Sequence, residues 1–104
     1  MIDAAPAHLR IVLDILEKYV PECEVRVFGS RHTHTAKSYS DLDLALVGRG
    51  RLDINQMAQI QEAFQESLLP YRVDVLDWYA ISPEFQKVIE NNGYEIIQQP
   101  RELL

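Results

Sequence analysis

The sequence is poor in cysteine, glycine and positive charge, and it has no long apolar run. A single cysteine, Cys23, excludes an intrachain disulfide and fits a reducing cytoplasm. Among its four glycines there is no Gly-x-Gly-x-x-Gly and no Gly-Lys-Ser/Thr, so neither a dinucleotide fingerprint nor a P-loop is present. Ten Lys+Arg stand against sixteen Asp+Glu, and the net charge of −6 excludes a general polycationic grip on nucleic acid. No segment approaches the ~20 apolar residues that span a bilayer, so no membrane role is expected. The N-terminus has no basic-then-apolar signal pattern. What is present is 47% hydrophobic and 25% charged residues over 104 positions, the profile of one ordinary globular domain over residues 1–104.

The charge is uneven. Residues 1–25 sum to −3, residues 26–51 to +3 and residues 52–104 to −6. The positive stretch holds Arg26, Arg31, Lys37, Arg49 and Arg51 around two lone acids, Asp41 and Asp43. A surface of mixed charge needs no explanation by itself, and the pattern gains meaning only beside a motif.

Periodicity divides the chain into alternating elements. Leu9, Val12, Leu13, Leu16 and Val20 form a helical stripe that Pro6 opens and Pro21 ends. Glu24–Phe28 alternates as a strand, and Gly29-Ser30 breaks it. Residues 31–40 read as a polar loop with room for one helical turn. Residues 41–47 alternate strictly and read as a second strand. Asp53 is a helix cap with Gln56 as its capping-box partner, and Ile54, Met57, Ile60, Phe64 and Leu68 follow at helical spacing until Pro70. Residues 72–76 read as a third strand. Ser82-Pro83 opens a last helix with Phe85, Val88 and Ile89 on its face, and Asn92-Gly93 ends it. Residues 94–97 read as extended and 98–104 as a flexible tail. The order predicts an α/β (α+β) domain with a small mixed sheet and helices packed on it.

A strand has a side-chain period of two, so Leu42, Leu44 and Leu46 share the core face while Asp41, Asp43 and Ala45 share the other. Two carboxylates on one face raise each other's pKa unless a cation sits between them. Val73 and Val75 put Asp74 on the outer side of the third strand in the same way, and if the strands are neighbours three carboxylates converge. Hard divalent ions take such oxygen ligands, and paired ions clamp the attacking and leaving oxygens of a phosphoryl transfer. Asp77 competes with Asp74 for the third place but has the opposite parity. A polar outer face is the plainer use of the same residues. Gly29-Ser30 permits close approach of a phosphate and adds a hydroxyl, though a plain strand-ending turn uses the same pair.

Gly29-Ser30, ten residues, then Asp41-Leu42-Asp43, with Asp74 on a later strand, resembles the signature of the polymerase-β-like nucleotidyltransferase superfamily. Within it the chain is similar to the minimal nucleotidyltransferase (MNT) family over its whole length. The resemblance implies that fold, and a cytoplasmic prokaryotic antitoxin that transfers AMP from ATP to a tyrosine of a HEPN-domain toxin partner. By the same resemblance Asp41, Asp43 and Asp74 would be catalytic and hold two Mg²⁺ ions. Gly29 and Ser30 would bind the triphosphate, with Arg31 or Lys37 adding charge. Related enzymes that modify small molecules add a second domain for the acceptor, so a partner protein or a second copy of this chain is expected to present it here. The other function consistent with the chain is neutralisation of a toxin by binding and occlusion alone. His32-Thr33-His34 is too sparse for a transition-metal site. Trp78 and Tyr79 are expected in the core or at a partner contact, with stacking on adenine as the alternative.

Overall fold

The computed structural model describes residues 2–101. Its elements are α1 (Pro6–Tyr19), β1 (Glu24–Phe28), α2 (Ser30–Thr33), β2 (Leu42–Val47), α3 (Ile54–Gln65), β3 (Val73–Asp77), α4 (Pro83–Asn92) and β4 (Glu95–Gln98). The four strands form one mixed sheet in the order β3-β2-β1-β4. β2 runs antiparallel to β1 and parallel to β3, and β4 adds to the free side of β1 in antiparallel sense. The parallel pair is joined through α3, as parallel strands require a crossover.

The sheet has two differently covered faces. Val25, Val27, Leu42, Leu44 and Leu46 are fully buried on one, where they pack with Val12 and Leu16 of α1 and Ile60 and Phe64 of α3. On the other, Ala45 packs with Trp78 and with Ile89 of α4, and Phe28 meets Phe85 edge-on with ring centroids 6.2 Å apart. Arg26 lies on this second face between the rings of Trp78 and Tyr94, at 4.6 and 4.5 Å, and its Nε donates to Glu24 at 2.6 Å. Burial pushes the Cys23 thiol up to about 12, so the lone cysteine is an inert core residue.

Several boundaries differ from the sequence reading. The helix expected to run towards Pro70 ends at Gln65, and Leu68 is 91% exposed. Asp53 caps α3 by accepting from the N–H of Asn55, but Gln56 does not close a capping box. Its amide instead donates to the Tyr19 carbonyl and to Glu22. α4 matches expectation, with Ser82 accepting from the Phe85 N–H and Pro83 at its first position. The expected loose tail is fastened over residues 98–101. The Gln98 amide donates to the carbonyls of Val20 and Cys23, and Arg101 donates from its N–H to the Pro21 carbonyl and from its guanidinium to Glu17. The remainder of that stretch, residues 102–104, lies outside the described residues.

Candidate active site

Strand pairing builds a row of three side chains across the second face. Phe28 is the register partner of Asp43, and Asp43 is the register partner of Asp74. Partners on adjacent strands stand about 4.8 Å apart, so two carboxylates from separate segments are held side by side. Their cost is visible at Asp43. Its carboxyl is pushed up to about 6, first by burial and then by the negative charges of Asp74 and Asp41. Asp41, expected as the first residue of the strand, instead stands one residue before β2 and is exposed.

The row ends at Gly29. This glycine has φ +76°, a conformation that side chains disfavour, and a Cβ placed on it would collide with Oδ2 of Asp43. The missing side chain is therefore the space that the Asp43 carboxylate occupies. Ser30 follows as the first residue of α2, whose His32 and Thr33 N–H groups close on the Gly29 carbonyl. A cavity of about 420 Å³ opens beside this turn. Gly29, Ser30, Thr33 and Thr35 give it a polar side, while Phe28, Phe85, Val88 and Ile89 give it an apolar one.

Two aspartates of β3 separate cleanly by parity. Asp74 shares the outer face with Asp43, and Arg72 pairs with it at 3.0 Å. Asp77 is buried, and its oxygens accept from the N–H groups of Leu52 at 2.8 Å and Tyr79 at 3.1 Å. It closes two turns and is not available as a ligand.

Arg31 is where the structure departs most from expectation. The side chain expected beside the phosphates is 5% exposed and turned inwards. Its guanidinium donates to the carbonyls of Asp3, Ser38 and Ser40 and lies 3.9 Å from the centre of the Tyr71 ring. A polar loop gives no sequence sign of a buried cation, because arginine is rarely fully buried. Lys37, the other candidate, is exposed on the same loop. The positive stretch does not face one ligand. Arg26 and Arg31 are committed inside, and Arg49 and Arg51 lie in the turn after β2, at the far end of that strand from Asp43. Trp78 is buried under Arg26, and Tyr79 lies beyond the end of β3 that is remote from Asp74, so neither reaches the cavity.

Among the described residues no three His, Cys, Asp or Glu side chains are already gathered around a point. A magnesium ion does not require that. It is characteristically held by one or two carboxylates, with substrate phosphates and water completing its shell. A registered Asp pair, abutting a glycine without a side chain, fits such an ion by charge and by ligand type.

The chain is 44% identical over 98 residues to a protein of Haemophilus influenzae named "Probable protein adenylyltransferase MntA", covering 94% of this chain and 85% of that one. Among solved structures, a toxin–antitoxin with AMP-PNP matches with a TM-score of 0.70 at 20% identity, covering 85% of this chain and 70% of the other. A Shewanella oneidensis tri-AMPylated HEPN toxin in complex with MNT antitoxin matches with a TM-score of 0.64 at 20% identity, over 86% and 68% of the two chains. These two likenesses show the shared fold. The family described as "Polymerase beta, Nucleotidyltransferase" matches residues 12–102. That match begins within α1 and passes the end of β4, so it takes in every strand that carries the aspartates and the glycine turn, and it makes this chain a member of the polymerase-β nucleotidyltransferase family.

Proposed function

We propose that this nucleotidyltransferase is the antitoxin of a HEPN/MNT module, acting in the bacterial cytoplasm, and that it transfers AMP from ATP to a tyrosine hydroxyl of its toxin partner, the new O–P bond forming at the α-phosphorus as pyrophosphate leaves. The observation that carries the reaction is the Asp43–Asp74 pair in register beside Gly29. The H. influenzae relative is named a probable protein adenylyltransferase, and the neighbours by fold include an antitoxin bound to an AMPylated HEPN toxin.

Asp43 and Asp74, joined by Asp41 from the mouth of β2, are the residues that would hold Mg²⁺. When bound, the metal neutralises the phosphate charge and the charge that develops on the attacking and leaving oxygens. Gly29 and Ser30 present backbone and a hydroxyl to the triphosphate. The cavity between them and Phe28 and Phe85 has the mixed polar and apolar lining of a small-ligand site. Asp74, the outermost carboxylate of the row and 37% exposed at its side chain, stands where an incoming tyrosine hydroxyl can deliver its proton. Catalysis of this kind is positioning plus charge stabilisation, so loss of one carboxylate is severe.

The test is the mass of the purified toxin partner after incubation with the chain, ATP and Mg²⁺. Mass gains in whole AMP units that disappear with Asp43→Asn are expected, at a loss of more than about a hundredfold in rate. A toxin silenced equally by the Asp43→Asn variant, with no mass gain, would instead establish neutralisation by occlusion.

A further inference from the structure

We propose that Arg31 is a positioning residue for the cation site. It fixes, from inside the protein, the two backbone arms that deliver Asp41 and Asp74, and it does not touch nucleotide. This rests on Asp41, Asp43 and Asp74 being the cation ligands.

All three guanidinium nitrogens are engaged. Nε donates to the Ser40 carbonyl at 3.1 Å, Nη1 to Asp3 at 2.9 Å, and Nη2 to Ser40 at 2.7 Å and Ser38 at 3.2 Å. None of these acceptors is a carboxylate, and among the described residues Arg31 makes no ion pair. The cation is held by main-chain dipoles and by the face of Tyr71. Those contacts have a common destination. Ser40 is the residue before Asp41, and Tyr71 precedes Arg72-Val73-Asp74. The two arms are tied to each other directly beyond Arg31, where the Leu42 N–H donates to the Arg72 carbonyl at 2.9 Å.

Among the described residues, the other hydrogen bonds within residues 35–40 are local to the loop. Lys37 and Ser40 bond to one another, which stiffens the tip without attaching it to the body. Arg31 supplies that attachment, and the Asp3 N–H closes behind it on the Arg31 carbonyl at 2.9 Å. The planar fork matters as much as the charge. A lysine ammonium is a single point and cannot span three carbonyls that converge from two segments. Residues that orient ligands in this way typically change metal affinity by about 10- to 100-fold when replaced.

The experiment uses Mn²⁺ as the probe, with free ion measured by electron paramagnetic resonance in the absence of nucleotide, on the wild type, Arg31→Lys, Tyr71→Leu and Asp43→Asn. Arg31→Lys is expected to weaken Mn²⁺ binding by about tenfold with unchanged far-ultraviolet circular dichroism. At saturating Mg²⁺ its KM for ATP is expected to stay within about twofold of wild type. Tyr71→Leu, which removes the ring behind the guanidinium, is expected to weaken Mn²⁺ in the same direction and decides the matter if Arg31→Lys does not fold. Wild-type Mn²⁺ affinity in the folded variants overturns the positioning role. So does a large rise in KM for ATP with Mn²⁺ affinity intact, which would make Arg31 a phosphate ligand. Wild-type Mn²⁺ binding that survives Asp43→Asn overturns the cation site itself, and the inference with it.

Discussion

Asp43 makes the metal-free protein sensitive to pH in a direction opposite to that of a salt-bridged carboxylate. Its pKa is raised from 3.8 to about 6 by burial and by the carboxylates of Asp74 and Asp41. Between those values the unfolded chain has released the proton and the folded chain still holds it. The contribution is therefore fully present below pH 3.8, is lost as pH rises through about 6, and stays lost above that. A shift of about two units corresponds to roughly 2–3 kcal/mol. Asp43→Asn should thus match the wild type in thermal unfolding near pH 3.5 to 4 and exceed it at pH 8 by about this amount. Added Mg²⁺ should close that gap by raising the wild type only. A variant no more stable than wild type at pH 8 would show that the strain is not there. The aspartates were legible from the sequence because strand parity alone sorts Asp43 and Asp74 from Asp77. Arg31 was not legible, because burial of a guanidinium depends on which carbonyls the fold brings around it, and these come from positions 3, 38 and 40.

At the level of elements, the short helix that opens at Ser30 is braced against the end of α4. Gly93 caps α4 with φ +87°, and a Cβ there would stand 3.0 Å from Nε2 of His32. A side chain at Gly93 would therefore press on the imidazole, a milder form of the collision with the Asp43 carboxylate at Gly29. Gly93→Ala combines two penalties, a backbone conformation that alanine disfavours and a displaced His32 ring, and is expected to cost about 1–2 kcal/mol. In a His32→Ala background the steric part is gone, so the same substitution should cost measurably less. A double-mutant cycle by denaturant unfolding reads the difference, and additive costs would refute the brace. This contact explains the His-x-His sequence better than metal chemistry does, at least for its first member. Elements with strong periodicity were readable in advance, β1, β2 and α4 most closely. The end of α3 is not legible in the sequence, because Leu68 continues the helical spacing while the chain has already turned, leaving it in solvent. β4 carries too little pattern to reveal its partner, and its place beside β1 is set by pairing across some seventy residues of chain.

For the whole molecule, the net charge of −6 and the placement of the basic residues bear together on how the proposed ATP substrate would be held. Arg26 is paired with Glu24 and enclosed by two rings, Arg31 is buried, Arg51 donates to the Tyr79 carbonyl, and Arg72 faces Asp74. That leaves Lys37 as the one solvent-exposed cation of the motif loop. A triphosphate approaching Gly29 and Ser30 therefore meets carboxylates and an acidic protein, with no compensating cluster of lysines. On the proposed reading the positive charge for binding arrives with the divalent ion, which the aspartates would fix in place. Nucleotide affinity should accordingly be conditional on metal. Anisotropy of a fluorescent ATP analogue is expected to show saturable binding with Mg²⁺ and at least a hundredfold weaker binding, on the order of 3 kcal/mol less, in EDTA. The salt response separates this from an ordinary basic phosphate pocket. In EDTA the residual interaction is net repulsive, so raising salt from about 20 to about 200 mM should leave it unchanged or slightly strengthen it as the charges are screened. A pocket built from lysine and arginine would lose affinity over the same range. EDTA-resistant binding that falls with salt would mean that the chain carries its own cationic phosphate site, and would return Lys37 or an unpaired Arg72 to the centre of the mechanism.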